Sequence, residues 1–261
     1  MIFYKYEALG NDFIITCDVS VSSEQVISMC NRNFGIGADG ILIHYDTPDA
    51  DAGMRIINSD GSVPEMCGNG LRCFASYLIL EQGVRSNPVK IKTDTGFLNV
   101  MWSKKENGAI EVEANLGEAK FLGEKVIESK EKKLHLFGVS MGNPHIVVTS
   151  DNDIEVKDAQ KFALQFQENN FLGITVNVEV LTKLDVSKKK LSLIVNERGS
   201  GFTLGCGTGG AATVYAVEKK TGTSGFDWSV VFPGGMAQYK ILRDGKIVMT
   251  GIPNRVFKGI I

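Results

Sequence analysis

The chain has 261 residues, 43% of them hydrophobic and 22% charged, with a formal net charge of −2. This is ordinary globular composition, with enough length for one large or two medium domains. Lysines and arginines are scattered, apart from solvated runs at Lys130, Lys132 and Lys133 and at Lys188 to Lys190, so neither a nucleic-acid partner nor a membrane surface is expected.

The opening segment Met1-Ile2-Phe3-Tyr4-Lys5-Tyr6 lacks a basic stretch followed by an apolar one. No stretch approaches the roughly 20 apolar residues of a membrane span, which together predicts a soluble, cytoplasmic protein. The five cysteines, at positions 17, 30, 67, 73 and 206, are an odd count without an export signal, so thiol chemistry is a better reason for them than a disulfide framework.

Along the chain, Gly10-Asn11-Asp12-Phe13 is the first marked polar turn, and Asn58-Ser59-Asp60 leads into Met66-Cys67-Gly68-Asn69-Gly70. Leu71, Phe74, Ala75, Leu78 and Ile79 then predict a helix apolar almost all round, closed by Gly83. Strand-like alternation follows around Thr95-Gly96-Phe97, and Asn107-Gly108 before Ile110-Glu111-Val112-Glu113 predicts a hairpin. The same series then recurs. Gly142-Asn143-Pro144-His145 is a looser partner of the first turn. Glu197-Arg198-Gly199 leads into Gly205-Cys206-Gly207-Thr208-Gly209, and Ala211, Ala212, Val214, Tyr215 and Val217 predict a second buried helix closed by Gly222. Gly234-Gly235-Met236 and Asp244-Gly245 complete the series.

The spacing is regular, since 206 − 67, 197 − 58 and 235 − 96 are all 139. A duplication follows: two similar α+β lobes, each a mostly antiparallel sheet around a buried helix. A pseudo-twofold arrangement of such lobes sets the two cysteine-bearing helix ends opposite one another.

A glycine-rich turn opening a helix presents unpaired N–H groups and the positive end of the helix dipole, which favour a carboxylate and a thiolate. Two such ends aimed at one point would grip a carboxylate and flank the carbon that bears it. Charge developing on the carboxylate is then neutralised without pyridoxal or metal, while one thiol group removes the α-proton and the other delivers one. Other patterns carry less. Gly205-x-Gly207-x-x-Gly210 with Asp227 matches a dinucleotide fingerprint, but its partner around Cys67 has no such explanation. No CxxC pair or His/Cys cluster suggests zinc. Cys17, Cys30 and Cys73 are taken as buried small hydrophobes. His145 stands above an ordinary lone histidine because its turn matches that of Asn11, and the register of Glu197-Arg198 with Asn58 suits an ammonium and a carboxylate.

Taken with Gly35-Ile36-Gly37-Ala38-Asp39-Gly40, Asn58-Ser59-Asp60-Gly61-Ser62 and Asn177, these motifs resemble those of the diaminopimelate epimerase family over essentially the whole chain. The resemblance implies interconversion of LL- and meso-diaminopimelate, in lysine and peptidoglycan-precursor synthesis, by a homodimer with no cofactor and no metal. It implies Cys67 and Cys206 as the acid/base pair, tuned by His145 and Glu197. Asn11, Asn143 and the N–H groups of Gly68, Asn69, Gly207 and Thr208 would hold the reacting end. Asn58, Asn177, Glu197 and Arg198 would hold the distal end. The expected lobes are 1–118, completed by a last strand within 252–261, and 119–251, with the site in the cleft between them. Gly40 stands where some members carry a substrate-contacting Gln, so it is assigned no role, and the short chain implies trimmed loops. Two alternatives remain at this point: a two-cysteine racemase of the proline or histidine type, and a non-catalytic amino-acid-binding protein.

Overall fold

The computed structural model describes residues 1–64, 67–128 and 133–261. Met66 of the first cysteine motif and Lys130 and Lys132 of the first lysine run lie outside the described residues. The chain forms two compact units, Met1–Ala114 with Thr250–Ile261, and Asn115–Met249.

The first begins with β1 (Ile2–Ala8), β2 (Asn11–Thr16), α1 (Ser23–Cys30), β3 (Gly40–Tyr45), β4 (Ala52–Asn58), α2 (Gly68–Glu81), β5 (Val89–Thr93), β6 (Gly96–Lys104) and β7 (Ile110–Glu118). The second carries β8 (Lys120–Glu128), β9 (Lys133–Ser140), β10 (Pro144–Ser150), α3 (Val156–Glu168), β11 (Asn177–Asp185), β12 (Lys190–Glu197), β13 (Gly201–Thr203), α4 (Gly207–Thr221), β14 (Asp227–Phe232), β15 (Gly235–Ile241) and β16 (Lys246–Gly251). The last strand, β17 (Asn254–Ile260), pairs with β1, from Ile2 opposite Ile260 to Glu7 opposite Asn254.

The duplication is visible strand by strand. In the first unit the sheet runs β17, β1, β2, β3, β4, β5, β6, and successive pairs are antiparallel, antiparallel, parallel, antiparallel, parallel and antiparallel. In the second it runs β8, β9, β10, β11, β12, β14, β15 with the same six relations in the same order. The fold is α+β with mostly antiparallel pairing, as the sequence predicts.

Each sheet is covered on both faces. Along β10 and β11, Ile146, Val148, Val178 and Val180 join Ala159, Ala163 and Phe166 of α3 in one core. Period-2 alternation leaves His145, Asn177 and Glu179 for the opposite face, where α4 packs. In the first unit Ile14, Ile41, Ile43 and Ile57 pack against Val26, Met29 and Cys30 of α1, while α2 covers the other face. α2 is buried without a break from Asn69 to Ile79, its apolar side chains joined by the buried Arg72 and Ser76. The capping box of Ser22 and Gln25 starts α1.

Cys30 and Cys73 are buried, as small hydrophobes should be, but Cys17 is exposed. It lies one residue beyond the end of β2, where the strand leaves the sheet, and its sulfur meets Tyr77 Oη at 3.4 Å and His44 Nδ1 at 3.5 Å.

Candidate functional site

Cys67 and Cys206 hold the same local position in the two units. Each is the N-cap, in extended backbone, of α2 or α4, and each sulfur accepts the N–H three residues on, from Gly70 or Gly209, at 3.3 Å. The opening N–H groups of a helix have no carbonyl partner within it, and Gly68-Asn69 and Gly207-Thr208 open α2 and α4 in this way, an arrangement suited to an anion.

In the first unit, Asn11 Oδ1 faces Cys67 Sγ at 3.8 Å and accepts from Asn69 Nδ2 at 3.4 Å. Asn11 is held from behind, because its Nδ2 donates to Asp39 Oδ2 at 2.7 Å, which also accepts the Asp12 N–H at 3.0 Å. Arg32 bridges Asp12 and Asp39 at 2.7 Å each, and the buried Lys5 ammonium pairs with Asp12 at 2.6 Å and donates to the Gly37 carbonyl. Burial works to raise the Asp12 carboxyl, but hydrogen bonds from Arg32 and Lys5 outweigh it and hold Asp12 down at about 2. A pocket of about 250 Å³ opens beside Cys67, between apolar Met54, Ile56, Leu71 and Leu98 and polar Thr93, Asp94 and Thr95.

In the second unit, His145 is fully buried. Its Nδ1 lies 2.9 Å from Glu179 Oε1 and its Nε2 3.1 Å from Asn143 Oδ1. Glu197 accepts from Thr203 Oγ1 at 2.5 Å and bonds the Cys206 thiol, which also meets Thr208 Oγ1 at 3.4 Å. Burial raises the Glu197 carboxyl above its usual value despite the Thr203 and Cys206 hydrogen bonds.

One expectation is overturned here. A helix N-terminus should lower a thiol, yet burial pushes Cys206 well up, and the carboxylates of Glu197 and Glu179 push it further than Thr208 and the Gly209 N–H pull it back. Desolvation and the two carboxylates thus act against the hydrogen bonds that the helix start offers the sulfur.

Asn177 is buried, donates to the Pro144 carbonyl at 3.3 Å and accepts the Arg198 N–H at 2.9 Å, while the Arg198 residue itself is exposed. The structure therefore joins Asn11, Cys67 and Asn69 in one cluster, and Asn143, His145, Glu197, Cys206 and Thr208 in another with Asn177 and Arg198 alongside. Asn58 belongs to neither hydrogen-bonded set, and its Nδ2 donates to Ser62 Oγ at 3.0 Å. At Gly40 a Cβ would come 2.7 Å from the Ile57 carbonyl oxygen, so this backbone has no room for a Gln. Among the described residues no group of three or more His, Cys, Asp and Glu is placed to hold a metal ion.

Two residues of the site have no role assigned from the sequence. Asp39 sits within the quoted Gly35 to Gly40 motif, and its backing of Asn11 shows only in the fold. Glu179 could have been found from a local signal, a single charge in the apolar run Val178-Glu179-Val180-Leu181.

Residues 3–122 and 137–256 match the model of the family described as diaminopimelate epimerase. A protein named diaminopimelate epimerase from Desulfitobacterium hafniense is 33% identical over 281 aligned positions, covering 100% of this chain and 98% of the relative. Another of that name, from Synechococcus elongatus, is 35% identical over 276 positions, covering 98% and 96%. Among solved structures, a phenazine biosynthesis protein of the PhzF family from Bacillus anthracis superposes with a TM-score of 0.76 at 15% identity, covering 100% of this chain and 99% of that one. A hydroxyproline epimerase from Agrobacterium vitis gives 0.66 at 13% identity, covering 99% and 90%. At such identity the structural likeness concerns the fold. The match across both units and the full-length relatives establish that the chain belongs to the diaminopimelate epimerase family.

Proposed function

We propose that this protein interconverts LL- and meso-2,6-diaminopimelate by two-base proton transfer at one α-carbon, with Cys67 and Cys206 acting from opposite faces of that carbon. The observation that carries this is the matched pair of N-cap sulfurs, each 3.3 Å from a helix N–H, at the same place in a duplicated scaffold. One cysteine as thiolate removes the α-hydrogen, and the other as thiol supplies a proton to the opposite face. The helix ends hold the carboxylate whose oxygens take up the developing charge, so no cofactor is required. Asn11 and Asn143 hold the reacting end. Asn58, Asn177, Glu197 and Arg198 hold the distal amino-acid group, and His145 and Glu197 tune Cys206. The setting is lysine and peptidoglycan-precursor synthesis in the cytoplasm. Exposed Val256, Phe257 and Ile260 on β17 offer apolar surface to a second copy in a homodimer.

The test is turnover in D2O. A thiol carries one proton, so the abstracting cysteine holds substrate hydrogen while the donating one holds a solvent proton. Product formed early should carry deuterium at one α-carbon while recovered substrate stays largely unlabelled, from either starting isomer. Equal early labelling of both pools would rule out the monoprotic pair. Cys67→Ala and Cys206→Ala should each abolish turnover without unfolding the protein. A panel of single amino acids run beside diaminopimelate separates this specificity from that of another two-cysteine racemase.

A further inference from the structure

The duplicated sheets allow each site residue to be compared with its counterpart. In the first unit, parallel strands β2 and β3 place Phe13 opposite Gly40 and Ile15 opposite Leu42. In the second, β10 and β11 place His145 opposite Asn177 and Val147 opposite Glu179. His145 thus occupies the place of Phe13, and Glu179 that of Leu42. Beneath the first helical turn the correspondence is direct: a Cβ on Gly70 of α2 would meet Leu42 Cδ2 at 3.3 Å, and one on Gly209 of α4 would meet Glu179 Oε1 at 2.4 Å. Where the first unit sets a buried Phe and Leu under its cysteine helix, the second sets a fully buried histidine and carboxylate.

A fully buried carboxylate is costly unless something requires it. Glu179 Oε1 is bonded to His145 Nδ1 at 2.9 Å, while Oε2 has no hydrogen-bond partner among the described residues. Structural support alone would be met more cheaply by the apolar residue that the first unit uses. We propose that Glu179 is a positioning residue for the reaction: bonded to His145 and seated under the first turn of α4, it keeps Cys206 the proton-donating member of the pair in the resting protein. This rests on the two-thiol reading above. Among the described residues, the ionisable groups near Cys206 include Glu179 from β11 and Glu197 from β12, His145 from β10, which faces both carboxylates, and Tyr239 from β15, whose hydroxyl donates to the Gly207 carbonyl at 3.2 Å. Two of the four are carboxylates that oppose a thiolate, in line with the raised Cys206. On the two-thiol reading Cys67 is then the member that acts as base. It takes the α-hydrogen of the isomer that presents it, and the Cys206 S–H gives its proton to the other face and becomes the thiolate for the return reaction.

Alkylation by iodoacetamide, followed separately at Cys67 and Cys206 by peptide mass spectrometry across pH, tests this without any substrate. Glu179→Gln keeps the shape and removes the charge. The pH midpoint for Cys206 should fall by one unit or more, with at least tenfold faster labelling at neutral pH, while Cys67 changes less than twofold. An unmoved Cys206 midpoint in a folded variant overturns the proposal, and so does an equal shift at both cysteines, which marks general loosening. Should the variant not fold, the imidazole ¹⁵N spectrum of the wild-type protein decides, with only three histidines to assign. A proton on His145 Nδ1 at neutral pH supports the contact, and a bare Nδ1 refutes it. Inactivity toward diaminopimelate would leave these readouts intact and would count against the proposed substrate alone.

Discussion

At Gly209 the absent side chain matters more than the helix it belongs to. A methyl there would press on the Glu179 carboxylate at 2.4 Å, whereas at Gly70 it would touch Leu42 at 3.3 Å and the Cys67 sulfur at 3.5 Å. Gly209→Ala should therefore cost about 1–3 kcal/mol from overpacking. Gly70→Ala should cost less, because its contacts are looser while the helix-propensity gain of roughly 1 kcal/mol from Ala is common to both. Urea titration of the two variants gives the comparison, and equal costs would mean that Glu179 moves aside freely. Arg198→Lys belongs to the same scale. A guanidinium fork grips a carboxylate at two points and an ammonium at one, so KM for diaminopimelate should rise by roughly tenfold, or about 1.4 kcal/mol. Small substrates lacking the distal group should be nearly unaffected. An equal loss on both would move Arg198 from recognition to folding. The cysteines and Glu197 stood out in the sequence because a repeated spacing of 139 marks them, and His145 because its turn is a looser partner of that of Asn11. Glu179 has no such mark from the duplication, since its counterpart Leu42 shares its position but not its chemistry, and only its lone charge in an apolar run points to it.

Between elements, the network of Lys5, Asp12, Arg32 and Asp39 ties β1 and β2 to the segment that runs from α1 into β3, and Asn11 rides on it. Asp12 is held at about 2 in the folded chain, below its ordinary 3.8. A depressed carboxyl contributes stability that is fully present above the unfolded value and is lost as pH falls through the folded one. The network should thus weaken between roughly pH 4 and 2. Asp12→Asn should cost about 2 kcal/mol at neutral pH, and the difference from wild type should shrink on acidification over that window. A pH-independent difference in denaturation midpoints would place the effect in packing instead. Helices α2 and α4 could be read directly because apolar residues surround them and glycines bound them. The strand correspondence could not be read at a fixed offset. The cysteines differ by 139, but Asn11 and Asn143 differ by 132, and Leu42 and Glu179 by 137. One cause is the helix between these strands, eight residues long in α1 and thirteen in α3.

Over the whole chain, the same six strand relations occur twice, although the two units are not drawn from the chain in the same way. The second is one continuous segment, Asn115–Met249, and its outer pair β8 and β9 are neighbours in sequence. The first is split: β1 bonds on one side to β2 and on the other to β17, with the Met1 ammonium donating to the Ile261 carbonyl at 2.5 Å and the Ile261 N–H to the Met1 carbonyl at 3.0 Å. Domains usually fold in the order in which they are made. During synthesis, however, β1 emerges well before its partner β17, so the N-terminal unit waits with an open strand edge until residues 254–260 have been made. The order of maturation is therefore reversed. Protease resistance in stalled nascent chains should appear across 115–249 before it appears across 1–114, and the exposed edge of β1 should make the first unit the one that depends on holding chaperones.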